Sequence, residues 1–313
     1  MAHQIETMAY AGEVPWHGLG ELVPNDLTPA QMLQKAGLDW QVEKVPAFVN
    51  INGEQVNTGT EALVRSTDGK ILTMVSDTWN PVQNEQAFEF FNDFVGAGDM
   101  QMHTAGSLRD GRMVWALAKI NESFELFKGD QVDSYLLFSN PHQFGKGIDI
   151  RFTPIRVVCN NTLTLSLNTK SDYQISMSHR SQFDPDAAKL ALGIAADKLA
   201  KYKEMASFLG SKFYKAEDLI KYFNKVFPMT SNAKGDESKI SKNAKLCLDV
   251  IDTQPGAEFA RGSWWQAYNA VTYLADHHLG TDQEQRMYNS WYGYVKDTKL
   301  KALEKAVDFA EVA

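Results

Sequence analysis

The sequence predicts an α+β fold. An antiparallel, hairpin-rich sheet with packed helices is expected over residues 1–183, and an all-helical region over 184–313. Three observations predict it. Asn-Gly and Asp-Gly turn dipeptides recur between β-prone segments in the first half. One amphipathic helix interrupts those strands. From residue 184 the apolar residues change to a helical period.

Asn52-Gly53, Asp68-Gly69 and Asp110-Gly111 supply the positive φ angles of tight hairpin turns, which match the twist of paired strands. The segments around them, WQVEKVPAFVNI, TEALVRST, ILTMVSD and RMVWALAKI, read as strands. Gly145-Lys146-Gly147, between SYLLFSN and IDIRFTPI, is a fourth turn. Four hairpins in one antiparallel sheet are expected. Asn84 is the expected N-cap of the intervening helix, with Glu85 in its first turn. Ala87, Phe88, Phe91, Phe94 and Val95 then form one apolar stripe that packs on the sheet. A second helix is expected just after Pro154, where Ile155, Cys159, Thr162, Leu163, Ser166 and Leu167 share a face. A strand competes there, because Val157, Val158 and the threonines are β-branched. Two asparagines in a central strand weigh against it.

Asp184-Pro185 opens the helical region as a cap followed by Pro at the first helical position. Ala187, Leu190, Ala191, Ile194, Leu199, Tyr202, Met205 and Leu209 then mark one face. Further helices are expected at 217–227, 239–252, 261–279 and 283–310, with a polar loop at 228–238. Trp264, Trp265 and Tyr268 read as core. Tyr288, Trp291, Tyr292 and Tyr294 read as core or as a subunit interface.

A chain of 313 residues suits one large domain or two intimate ones. Cys159 and Cys247 are distant and form no disulfide framework, so two buried thiols in a reducing compartment are expected. The first twenty residues lack a basic stretch and an apolar run, which predicts no secretory signal. No apolar run nears the ~20 residues of a membrane helix. The net charge of −8 argues against a generic basic coat for nucleic acid. Its distribution is uneven: residues 1–100 hold 4 Lys+Arg against 14 Asp+Glu, whereas 140–183 hold 5 against 2, with His142 and His179 besides. A local basic patch binds phosphate even on an acidic protein.

Neither HExxH nor a His/Cys pair at ligand spacing occurs, so no metal is expected. Gly18-Leu19-Gly20 lacks the third glycine and the preceding strand of a dinucleotide fold, and a GxSxG elbow is absent. No catalytic residue and no cofactor is predicted. The best candidate site is the basic middle segment. Lys146 sits on a hairpin tip between two glycines, beside Phe144, and Arg151, Phe152 and Arg156 follow on the return strand. In a strand, Ile148, Ile150 and Phe152 point one way and Asp149 and Arg151 the other. Cations that track a phosphate backbone beside stacking aromatics suit single-stranded nucleic acid. A solvated face on an amphipathic hairpin is the competing reading. Asn160 and Asn161 add amides, and Arg109 and Arg112, flanking the Asp110-Gly111 turn, are candidates to join Lys146 on one groove.

Four strings resemble a family. They are Pro15-Trp16-His17-Gly18-Leu19-Gly20, Gly106-Ser107-Leu108 with Gly111-Arg112 and Val114-Trp115, the run Arg151 to Leu163 (RFTPIRVVCNNTL), and Trp264 with Ala267-Tyr268-Asn269-Ala270-Val271-Thr272 and Asp276-His277. Together they are similar to the phage/plasmid-like proteins built on the domain of unknown function numbered 932. That resemblance implies a bacterial cytoplasm. At the level of fold, the pattern also resembles the phage single-strand annealing proteins RecT, Erf and Red-beta, which form rings or filaments and hold single-stranded DNA without ATP or metal. The expectation is a non-enzymatic, homo-oligomeric single-stranded DNA-binding recombination protein. Lys146, Arg151 and Arg156 would contact phosphates, with Arg109, Arg112, Phe144, Phe152 and Asn160 as further contacts. The alternative is a phage accessory protein that binds a host or defence factor through its acidic first hundred residues. An enzyme with a site assembled across the two halves is the third reading.

Overall fold

The computed structural model describes residues 5–12, 20–156, 161–162, 174–180, 183–186, 196–229, 240–280, 286, 289–290 and 293–312. The fold is α+β, with antiparallel strands ahead of a helical region, as the turn and period signals predict. The chain divides into two units. The first comprises Met1–Asn121, Tyr135–Phe152 and Tyr173–Ile194, and the second Glu122–Ser134, Thr153–Asp172 and Ala195–Ala313.

The strands form two sheets, where one was expected. β1 (Ile5–Ala11) and β2 (Glu21–Val23) come first, followed by helix α1 (Pro29–Lys35). β3 (Val42–Ile51), β4 (Glu54–Arg65) and β5 (Ile71–Val75) then build an antiparallel sheet of their own. Its first turn has Asn52 at φ 55° and Gly53 at φ 95°, as the dipeptide predicts. After helices α2 (Asn84–Glu89) and α3 (Asn92–Gly96) come β6 (Met100–Leu108), β7 (Met113–Phe127), β8 (Asp130–Pro141), β9 (Ile148–Arg156), β10 (Asn161–Thr162) and β11 (Gln174–Met177). The larger sheet runs β10-β9-β8-β7-β6-β1-β2, with β11 also paired to β9. β1 lies antiparallel to β6 and β2 parallel to β1. Turn dipeptides specify which neighbours fold back on each other. They do not specify which hairpins share a sheet, so this division was not legible.

The helix expected after Pro154 is absent where the chain is described. Ile155 and Arg156 finish β9, and Asn161 and Thr162 pair antiparallel with Arg156 and Ile155. An open strand edge and β-branched residues outweigh the helical face pattern. Residues 157–160, with Cys159 and Asn160, lie outside the described residues, as do 163–173 and the PWHGL string.

The helix expected from Asn84 is broken into α2 and α3, with Phe90 and Phe91 between them. Its N-cap is Gln83, whose N–H donates to Gln86 Oε1 at 2.9 Å. Asn84 is buried and turns its amide into the interior. Helix α1 was missed, although its Thr28-Pro29-Ala30-Gln31 start is a capping box. Gln31 N–H donates to Thr28 Oγ1 at 3.3 Å, and Thr28 N–H donates back to Gln31 Oε1 at 2.9 Å. The first unit's core joins Met32 and Leu33 of α1, Phe88 and Phe91, Leu63 and Leu72 of the small sheet, and Ala9, Met102, Val114 and Ile150 of the large one. The predicted apolar stripe holds: Phe94 and Val95 pack against this cluster.

Gly106 faces Trp115 across β6 and β7. A Cβ at position 106 would overlap both the Trp115 ring and the Thr7 carbonyl. Gly106→Ala is therefore expected to cost about 1–3 kcal/mol through overpacking. Gly96→Ala, whose Cβ meets open space, should leave the melting temperature unchanged or slightly raised. Thermal denaturation of both variants checks this.

In the second unit, α4 (Ala196–Ser211), α5 (Ala216–Val226), α6 (Lys242–Val250) and α8 (Tyr294–Glu311) accompany α7 (Trp264–His277). Helix α7 is buried on nearly all sides, with Trp264, Trp265, Ala267, Tyr268, Ala270, Val271 and Leu274 in the core and Gln266, Asn269, Thr272 and Asp276 buried among them. Such a helix belongs at the centre of a bundle. Cys247 of α6 is a buried free thiol, and burial pushes its pKa up. The helix expected over 283–310 is interrupted at Gly293, the N-cap of α8. At the end of α7, Asp276 accepts from Lys299 Nζ and from Ser290 Oγ, each at 2.8 Å. Asp276 and Lys299 are each 1% exposed. Removing one partner strands the other charge, so Asp276→Ala should cost about 3–5 kcal/mol. The double variant Asp276→Leu/Lys299→Met should cost markedly less. Urea midpoints of the two variants give the comparison.

Candidate nucleic-acid interface

The β8–β9 turn carries the sequence-predicted Phe144 and Lys146. Gly145 adopts φ 77°, which favours glycine. Gly147 is needed for a different reason: a Cβ there would lie 2.6 Å from the Met177 carbonyl of β11. The two glycines thus hold the turn tight against β11. Phe144 is left 64% exposed, and Lys146 is exposed beside it. Both line an open groove of about 430 Å³, together with Ser76, Trp79, His179 and the exposed Arg180. Ser176 and Ser178 complete its β11 side.

The groove rests on a set of buried amides and imidazoles. Asn84 Nδ2 donates to the Leu38 carbonyl at 3.0 Å, which orients the amide. Its Oδ1 then accepts from His142 Nε2–H at 2.9 Å. This tautomer leaves His142 Nδ1 as a buried acceptor with no partner among the described residues. Nearby, Asn140 Nδ2 donates to the Val82 carbonyl at 2.8 Å. His179 stacks on Trp79 with centroids 4.1 Å apart and an interplanar angle of 14°. Its Nδ1 lies 3.3 Å from the Asn80 carbonyl, and Asn80 N–H donates to the His179 carbonyl at 2.7 Å.

Burial, with the neighbouring His179 adding to it, lowers the His142 pKa to about 3. Burial lowers His179 to about 4, against an opposing pull from the Asn80 and Pro141 carbonyls. Both rings are neutral in the folded protein at pH 7. The unfolded chain takes up these protons first as pH falls below about 6.5, so their neutral burial is stabilising above that value and is lost towards pH 4. Each ring contributes a slope of about 1.4 kcal/mol per pH unit in that window. Urea midpoints at pH 7, 6 and 5 are expected to fall accordingly, and a His142→Gln/His179→Gln variant should show a flatter pH dependence.

The remaining predicted residues scatter. Arg151 is largely buried and pairs with Asp149 on the face of β9 away from the core. Phe152 packs against the hydrophobic core beside Ile148 and Ile150, as the strand alternation predicts, so its ring is not presented for stacking. Arg156 ends β9, opposite Asn161 of β10, and Asn160 lies outside the described residues. Arg109 and Arg112 flank the β6–β7 turn and do not line the groove. The Arg112 carbonyl nevertheless accepts from His142 N–H at 2.9 Å. Arg180, Trp79 and the serines were missed as contacts. Arg180 belongs to the basic 140–183 stretch, which was the available signal.

The β6–β7 turn has a structural anchor instead. Arg65 donates to both Glu6 oxygens at 2.8 and 2.7 Å and also holds Asp68. These hydrogen bonds, with Asp68 first, raise the Arg65 pKa further. A Cβ at Gly111 would sit 3.1 Å from Arg65 Nη1, and Asp110 pairs with Lys70 at 3.0 Å.

Among the described residues no three His, Cys, Asp or Glu side chains converge as a metal site. No described helix is long and apolar enough to cross a membrane. Fold and groove together define an α+β protein with a cation- and aromatic-lined surface cleft. The chain belongs to the family described as Domain of unknown function (DUF932), which matches residues 71–293. No curated protein and no solved structure matches it.

Proposed function

We propose that this protein binds single-stranded DNA in the β8–β9 groove, without ATP or metal, as a non-enzymatic phage-type annealing protein that assembles into rings or filaments. The observation that carries this reading is the grouping of exposed Phe144 with Lys146 and Arg180 on one groove. Two cations track a phosphate backbone, and an exposed ring stacks a base whatever its identity. Arg180, rather than Asp149-paired Arg151, supplies the second phosphate contact. The assembly part of the reading rests on the resemblance to RecT, Erf and Red-beta. The acidity of the first hundred residues keeps the basic surface local.

A fluorescent oligonucleotide titrated at low salt tests the proposal. Lys146→Ala/Arg180→Ala should weaken binding and reduce the log-affinity against log-salt slope by about 0.7 per contact removed. Phe144→Ala should cost about 1–3 kcal/mol with little change in that slope. Native mass with the oligonucleotide should report a ring or filament. Absence of binding at micromolar protein, or binding indifferent to all three substitutions, overturns the reading.

A further inference from the structure

A second concave feature of the first unit lies between α1 and α2, and its chemistry is opposite to that of the groove above. Leu33, Leu38, Trp40 and Phe88 give it an apolar floor, and Asp39, Glu85 and Glu89 stand on its rim. The space is about 230 Å³, and no Lys or Arg lines it. The rim carboxylates are exposed. Glu6, Asp68, Asp110 and Asp149 of this unit each have a cation within ion-pair distance, whereas exposed Glu21, Glu43 and Glu54 have none among the described residues. Asp39, Glu85 and Glu89 have no such partner among the described residues. The Trp40 ring is held in place from elsewhere, by the Arg65 guanidinium 5.6 Å from its centroid and by the edge of His142 at 5.5 Å.

We infer that this cleft receives an arginine side chain presented by a basic protein segment. An apolar floor with a charged rim suits a long aliphatic stem that ends in a cation. A guanidinium matches carboxylates in forked, two-oxygen geometry, which an ammonium does not. The surroundings favour the same partner. With 14 acidic against 4 basic residues in the first hundred, the field around the cleft attracts a basic segment and speeds its arrival. The inference does not depend on the single-strand reading, because it uses none of the residues of the β8–β9 groove.

Fluorescence anisotropy of a labelled hexa-arginine peptide against the full chain tests it. Glu85→Gln/Glu89→Gln should weaken binding by about 10-fold, as expected for loss of charge-assisted hydrogen bonds. Glu21→Gln/Glu54→Gln removes the same charge from exposed positions elsewhere and should change affinity less than about twofold, the screened contribution of distant surface charge. Hexa-lysine should bind more weakly than hexa-arginine. Equal loss in both double variants, or equal affinity for the two peptides, indicates diffuse charge attraction and overturns the inference. Should the Glu85/Glu89 variant fail to fold, Asp39→Asn provides the same test from the connection between α1 and β3. Oligonucleotide binding by Glu85→Gln/Glu89→Gln should match the unaltered chain, so failure of this inference and failure of the single-strand reading are separately visible.

Discussion

The first unit depends on how the irregular stretch from Trp79 to Asn84 is held. It leads from the small sheet into helix α2 and has no strand partner to satisfy its backbone. Side chains and neighbouring backbone take over that task. His179 pairs with the Asn80 backbone, Asn140 donates to Val82, and Asn84 joins His142 to Leu38. Gln83 meets the Val42 backbone twice, with its carbonyl accepting at 2.8 Å and its amide donating at 3.0 Å, and so covers the edge of β3. These bonds satisfy much of the buried polar surface of the stretch, which lowers the cost of its desolvation. Because His142 and His179 stand on either side of the β8–β9 turn and the β11 exit, the same bonds that close the interior also set the walls of the cationic groove.

That arrangement explains why the groove is lined by residues outside the family-like strings. Gly106 and Trp115 belong to the resemblance because one must be small for the other to lie flat across the strand pair. Gly111 leaves room for the Arg65 guanidinium. Helix α7 carries its string inside the second unit, where Tyr268, Ala270 and Val271 are wholly buried. In these strings the described residues are largely occupied by packing. The groove instead uses residues with few structural duties, such as Phe144, Lys146 and Arg180. A surface with few duties leaves a weak mark on a single sequence.

Much of the local architecture was legible. Asn52-Gly53 and Asp110-Gly111 turn where the dipeptides predict, because positive φ is a local property that few residues accept. The stripe from Ala87 to Val95 faces the core even though its helix is broken. The run after Pro154 misled because both a helical face and β-branching were present, and only the open edge of β9 decided between them. Strands β1 and β2 went unseen for a related reason: their pairing is with β6 and with each other, far away in the chain or parallel, and neither leaves a turn signal. Of the site, the turn with Phe144 and Lys146 was legible from its glycines and charge. Arg151 was not, since its partner Asp149 stands two residues away on the same strand face and sequence alone does not say whether such a pair closes.

The sequence by itself determined the α+β class, the hairpin turns, the central burial of the tryptophan helix and the sign of charge along the chain. These follow from backbone preferences and side-chain period, which act over a few residues. The tertiary structure alone decided that the hairpins part into two sheets, that Arg180 joins Lys146 on one groove, and that three exposed carboxylates rim an apolar cleft between α1 and α2. Those outcomes depend on contacts between residues tens of positions apart. Such contacts are chosen by the packing of the whole unit, and no local propensity encodes them.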